Sequence, residues 1–163
     1  MLGGVPMDSL MAGAFYLIPY GIYVLTAGGK SQPQGMIVSW VSQVSYSPAL
    51  LMAALRRNRP AIPAIQEKGF FSLSLMKREQ KHLVSRFKDP TLQPNFSELF
   101  TEAGPDMPPF LKGALASWRC RLFSTVEAGD HILFIGEVQG VSVDPGGQPL
   151  TTGDYGKSYI GQR

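Results

Sequence analysis

The chain has 163 residues, of which 44% are apolar and 17% charged, a globular composition that excludes a disordered or fibrous chain and fits one domain over residues 1–163. A domain of this length buries about 70% of the surface its unfolded form exposes. The single cysteine, Cys120, excludes an internal disulfide and argues against a cysteine-rich metal site, and the formal charge of +3 is mild.

The first eight residues carry no basic stretch, and the apolar run 10–25 is interrupted by Gly13, Pro19 and Gly21, too broken to span a membrane. The expectation is a cytoplasmic protein with no membrane partner. Residues 20–26, rich in β-branched and aromatic side chains, predict a first strand that stops at Ala27-Gly28-Gly29, with a turn over 28–34 and a second strand from Met36. Residues 35–48 read as a strand studded with hydroxyls. Ser39, Ser42 and Ser45 recur every third residue, whereas a strand changes face every second, so this strand must bend, bulge or end among them. Hydroxyls and backbone N–H groups at such a bend suit a polar ligand.

Pro48 ends that segment, and the apolar run 49–55 predicts a buried strand. After the loop Arg56-Arg57-Asn58-Arg59, residues 61–68 predict a short helix ended by Gly69, made irregular by Pro63. Residues 70–75 alternate apolar and hydroxyl side chains and form the clearest period-two strand; residues 79–87 predict a short amphipathic helix with Leu83 and Val84 inward. Five prolines between 88 and 112 leave only 96–100 as a helical turn, so this stretch reads as a long loop or lid. Residues 113–126 and 131–143 predict two long strands joined by a tight turn at 127–130; 144–147 is a further turn, and 151–163 a glycine-rich tail. Six or so strands with only short helices favour a mainly β protein, a barrel with helical decoration, over a nucleotide-binding βα sheet, whose glycine fingerprint is also missing.

With His82 and His131 as the only histidines and no Gly-x-Ser-x-Gly elbow, neither a metal site nor a serine hydrolase is expected. Arg56, Arg57 and Arg59 present forked donors suited to phosphate and stand before a helix start whose N–H groups also favour anions; the plainer reading is a solvated charged loop. Lys77, Arg78, Lys81, Arg86 and Lys88 extend the positive bias, and such clustering favours an anionic ligand over a diffuse basic surface. His131, at a strand start beside Asp130, is either a satisfied polar core residue or a proton-sharing group at a site. His82 is expected to be exposed. Trp40 and Trp118 are core or interface aromatics by default, although Trp40 inside the serine strand could stack on a planar ring.

In order and spacing, residues 20–26, Gly35 to Ser45, Pro48 with its apolar strand and arginine loop, Gly69 to Leu75, and Ala128-Gly129-Asp130-His131 followed by Gly136-Glu137-Val138 resemble the flavin reductase-like family of FMN-binding split barrels. Within it, Val38-Ser39-Trp40-Val41 resembles most the flavin domain of high-molecular-weight rubredoxins. The resemblance implies a six-stranded Greek-key split barrel, a homodimer, with FMN near the subunit interface. It places Ser39, Trp40, Val41 and Ser42 along the flavin, Arg56, Arg57, Asn58 and Arg59 around its phosphate, and His131 near the ring and the incoming NAD(P)H. The implied activity is NAD(P)H-dependent flavin reduction or FMN-borne electron transfer to a small molecule or protein, with no nucleic acid as partner. Ile37, Pro60 and Ala61 stand where the family often has hydroxyls, so the basic side chains must carry more of the phosphate. The alternatives are a split barrel without flavin, binding haem or serving as a partner module, and a basic β-barrel that binds nucleic acid.

Overall fold

The computed structural model describes residues 9–29, 33–88 and 96–155. Among the described residues, seven strands form one antiparallel sheet: β1 (Tyr23–Ala27), β2 (Gln34–Val38), β3 (Val41–Ser45), β4 (Leu50–Arg56), β5 (Phe70–Leu75), β6 (Ala116–Ala128) and β7 (His131–Val143). Their order is β2-β1-β5-β6-β7-β4-β3, so the two edges of the sheet are consecutive in sequence. The sheet therefore curls until the short link Ser39-Trp40 joins its edges, and the Ala54 amide, donating to the Trp40 carbonyl at 3.0 Å, extends the β3–β4 pairing onto that link. This is a mainly β barrel with short helices, as the sequence predicts.

The strand count is seven rather than six because residues 35–48 make two strands. The chain turns at Ser39-Trp40, and a register shift between Gln43 and Ser45 bends β3 again. Three-residue spacing of the serines thus corresponds to one break and one bulge. Residues 61–68 form α2 (Ala61–Lys68), stopped by Gly69 at φ 73°, whose amide returns to the Ile65 carbonyl. Pro63 does not disturb it, because Pro63 lies in the first turn, where the amide has no partner within the helix to lose. The predicted helix 79–87 is instead a 3-10 helix (Arg78–Leu83) running into α3 (Val84–Lys88). Leu83 and Val84 are buried in it as expected. The remaining helices are α1 (Ser9–Tyr16), α4 (Phe96–Leu99) and α5 (Thr152–Tyr155). The rest of the predicted tail, 156–163, and part of the predicted loop, 89–95, lie outside the described residues.

Period-two patterning explains why β1 and β5 are buried on both faces. Leu25 and Ala27 of β1 and Phe71 and Leu73 of β5 point into the barrel with Leu55, Cys120 and Phe134, where Ile62 and Ile65 of α2 also pack. Ile22 and Val24 face the other way, into a second cluster with Met76, Leu83, Val84, Phe100, Leu111 and Leu150. The hydroxyls on this outer face are covered by the segment after α4. Thr26 and Ser72 donate to the carbonyls of Pro109 and Pro108 at 2.5 and 2.9 Å, and the Leu111 amide donates to Ser74 Oγ at 3.0 Å. The described part of the predicted loop is thus a strap across β1 and β5, anchored by the hydroxyls that made residues 70–75 alternate.

Candidate functional site

A cavity of about 670 Å³ opens where the sheet seam, the arginine loop and the β6–β7 turn meet. Its walls come from widely separated segments: residues 15–20, 36–40, 54–56 with Arg59, Asp130-His131 and Thr152-Gly153. The seam supplies Ile37, Ser39 and Trp40, because the chain that leaves β2 must cross the barrel mouth to start β3. The opposite wall follows from sheet register: Arg56, the last residue of β4, pairs with His131, the first of β7. The β6–β7 turn is a two-residue hairpin in which Gly129 takes the positive φ, 59°, that such a turn requires at its first central position.

Within this frame His131 is fixed on two sides. Its Nδ1 donates to Asp130 Oδ1 at 2.6 Å, and its ring lies 4.7 Å from the Trp40 ring, tilted by 34°. The Nδ1 bond sets the imidazole so that Nε2 is the nitrogen left for exchange with a ligand. Trp40 is 6.4 Å from Tyr20 on its other side, so three rings line one stretch of wall. The Asp130 carboxyl is held below the ordinary carboxylate value, first by the hydrogen bond from His131, which outweighs the opposing desolvation, with the neighbouring charges of the His131 ring and Arg56 adding smaller contributions. Arg56 Nη2 lies 3.9 Å from Asp130 Oδ2.

Of the residues expected from the sequence, Ser39, Trp40, Arg56, Arg59 and His131 come together around the cavity. Val41, Ser42, Arg57 and Asn58 stand outside its lining. Val41 packs against the barrel core, and exposed Ser42 donates to the Gln43 carbonyl at 3.0 Å. Arg57 turns away to the β6–β7 hairpin, where Nε donates to the Gly129 carbonyl at 3.1 Å and the guanidinium pairs with Glu127. Asn58 is an exposed turn residue.

The second basic run does not converge on a ligand. Lys77 pairs with Asp144 at 2.7 Å, Arg78 with Asp154 at 3.1 Å, Lys81 donates to the Asp154 carbonyl at 2.7 Å, and Lys88 donates to the Tyr155 hydroxyl at 3.1 Å. The contacts to Asp154 and Tyr155 clamp α5 to the 3-10 helix and α3, and so hold Thr152 and Gly153 in the cavity wall. His82 is exposed, and Cys120 is a buried core thiol whose pKa burial pushes up to about 12.

Sequence reasoning passed over three parts of the wall. Residues 15–19 carried no motif, and Thr152-Gly153 were read as tail. Asp130 was read as a turn acid and part of the Gly129-Asp130-His131 motif, without a role of its own in the site. Thr152 is built in by reciprocal bonds, its amide donating to the Tyr20 carbonyl at 2.8 Å and its Oγ1 accepting from the Tyr20 amide at 3.1 Å.

Comparisons with known proteins agree with this geometry. The NADH-dependent FMN reductase AsuE2 of Streptomyces nodosus subsp. asukaensis is 30% identical over 141 residues, covering 84% of this chain and 76% of that protein. Among solved structures, the NADH:FAD oxidoreductase of Streptomyces globisporus superposes with a TM-score of 0.79 at 25% identity, over 90% of both chains. The styrene monooxygenase flavin reductase of Pseudomonas putida does so with a TM-score of 0.73 at 31% identity, over 85% of this chain and 88% of that one. Residues 15–160 match the flavin reductase like domain, and the chain belongs to that family.

Proposed function

We propose that this protein is an NAD(P)H-dependent flavin reductase that uses FMN in the 670 Å³ cavity. The observation that carries the reading is the convergence of Ser39, Trp40, Arg56, Arg59 and His131 on one cavity from three distant stretches of sequence. The volume falls in the range of small-molecule and cofactor pockets, about 300–1,000 Å³. The donor set also fits: Ile37, Val38, Leu55, Tyr20 and Trp40 offer apolar walls to a flat tricyclic ring, and Arg56 and Arg59 offer two cations to a terminal phosphate. When bound, the flavin supplies the hydride and electron chemistry.

The residues of the chain bind, orient and exclude water. Arg56 and Arg59 hold the phosphate end, the side chains around Ile37 and Trp40 keep the ring dry, and Ser39 offers a hydroxyl beside it. His131, oriented through Nδ1 by Asp130, leaves Nε2 to exchange a proton beside the ring and the nicotinamide. The names of the relatives support both co-substrates, since AsuE2 is an NADH-dependent FMN reductase and the structural relative an NADH:FAD oxidoreductase. The electron acceptor is a small molecule or a protein served by reduced flavin. A homodimer is part of the proposal, because α1 has no buried residue while Leu10 is 82%, Phe15 54% and Leu17 78% exposed beside the cavity.

The test is spectroscopic. Purified protein incubated with FMN and freed of excess should keep a flavin spectrum, which NADH or NADPH bleaches without oxygen, with steady oxidation of the nucleotide when free FMN is supplied. A haem spectrum, no retained flavin, or retained flavin that neither nucleotide bleaches would each overturn the proposal.

A further inference from the structure

Arg56 and Arg57 are adjacent, yet only Arg56 lines the cavity. Arg57 gives itself wholly to the β6–β7 turn. Its amide donates to the Asp130 carbonyl at 3.3 Å, its Nε donates to the Gly129 carbonyl at 3.1 Å, and its guanidinium pairs with Glu127. Both carbonyls of the two-residue turn therefore accept from this one residue. An exposed ion pair alone is weak, but here it closes a ring of contacts that includes two turn carbonyls. Residues 123–130 are all exposed, so besides the strand pairing up to Ala128↔His131 and the Arg56 guanidinium beside Asp130, the tip is held by polar contacts rather than by buried side chains. The turn leads directly into His131, whose ring rests on the Asp130 carboxylate and on Trp40.

We propose that Arg57 is a positioning residue: it staples the Gly129-Asp130 turn to the arginine loop so that His131 stays against Trp40 at the cavity. This rests on the flavin reductase reading for its catalytic meaning, and on the geometry alone for the placement of His131. Arg57 is then not a phosphate ligand, in contrast with Arg56 and Arg59. The two roles predict different losses on substitution.

The experiment compares Arg57→Met and Arg57→Lys with Arg59→Met in the full chain. In NMR spectra of the two histidines, the Trp40 ring displaces the His131 ring protons upfield, while exposed His82 serves as internal reference. Arg57→Met should lose about half or more of that displacement as the stack loosens. Arg57→Lys, which keeps the charge for Glu127 but cannot also reach Gly129, should fall between. Turnover with NADH should drop in Arg57→Met, while its preference for FMN over riboflavin stays within about twofold of the parent; Arg59→Met should lose about tenfold of that preference. An unmoved His131 signal in Arg57→Met, or a loss of FMN preference as large as in Arg59→Met, overturns the proposal. If the parent protein binds no flavin, the reading of function fails, and the His131 signal still decides whether Arg57 holds the turn.

Discussion

Four neighbouring residues of one loop show how side-chain chemistry is divided by direction. Arg56 and Arg59 turn to the cavity, Arg57 to the hairpin and Asn58 to solvent. Because a charge-assisted hydrogen bond contributes about 1.5–3 kcal/mol, replacing Arg56 and Arg59 together by Met should weaken FMN binding at least tenfold while riboflavin, which lacks the phosphate, is held nearly as before. Titrations of both ligands by flavin fluorescence check this, and equal losses would put the phosphate elsewhere. The missing hydroxyls at Pro60 and Ala61 make the two arginines more important, since the cap of α2 has no side-chain hydrogen bond of its own.

At the scale of elements, two devices hold the barrel around the site. The first is the strap over β5, where Ser74 Oγ accepts from the Leu111 amide and from Ser117 Oγ at 3.0 and 2.9 Å in a fully buried setting. Ser74→Ala strands those donors, and an unsatisfied buried donor costs about 1–3 kcal/mol, which urea unfolding should register as a lower midpoint with an unchanged slope. The second is the clamp on α5. Asp154 is held below its ordinary value of 3.8, first by the Thr151 amide, then by the Thr151 hydroxyl, with the Arg78 charge adding to both. A carboxylate whose folded pKa is depressed contributes stability above the unfolded value and loses it as pH falls through the lower folded one. Melting temperature should therefore decline as pH drops below about 4, and Asp154→Asn should flatten part of that decline while loosening the cavity wall at Thr152.

On the scale of the whole molecule, the closed sheet leaves an apolar surface uncovered along α1 and residues 17 and 18. Monomeric proteins rarely leave such contiguous patches exposed. Replacing Leu10 and Phe15 together by Glu should shift the protein toward the monomer in sedimentation velocity, and should weaken flavin binding as well, because Phe15 also lines the cavity. A parent protein that sediments as a monomer would remove the dimer from the proposal. Barrel closure also accounts for the location of the cavity. The edges β2 and β3 are joined by two residues, so those residues, Ser39 and Trp40, must lie at the mouth.

Much of this was legible in the sequence because it was written in local periodicity. The alternation in residues 70–75, the glycine that stops α2, and the turn before His131 each follow from near neighbours, and the ordered motifs pointed to the family. The odd spacing of Ser39, Ser42 and Ser45 foretold a distorted strand, but not that the distortion would divide it in two. Side-chain direction within a loop was not legible: nothing local distinguishes Arg57 from Arg56, and only the register of β4 against β7 brings Gly129 and Glu127 to the Arg57 side chain while Arg56 stays at the cavity beside Asp130. The second basic cluster likewise read as anion-binding until its acidic partners, 67 or more residues away for Lys77 and Arg78, were brought beside it. By itself the sequence determined most of the strands, the family and the chemical types available to the site, since those depend on short-range patterning. Only the tertiary structure decided which cations face the cavity and which are spent holding it together, because pairing strands far apart in the chain sets where each side chain points.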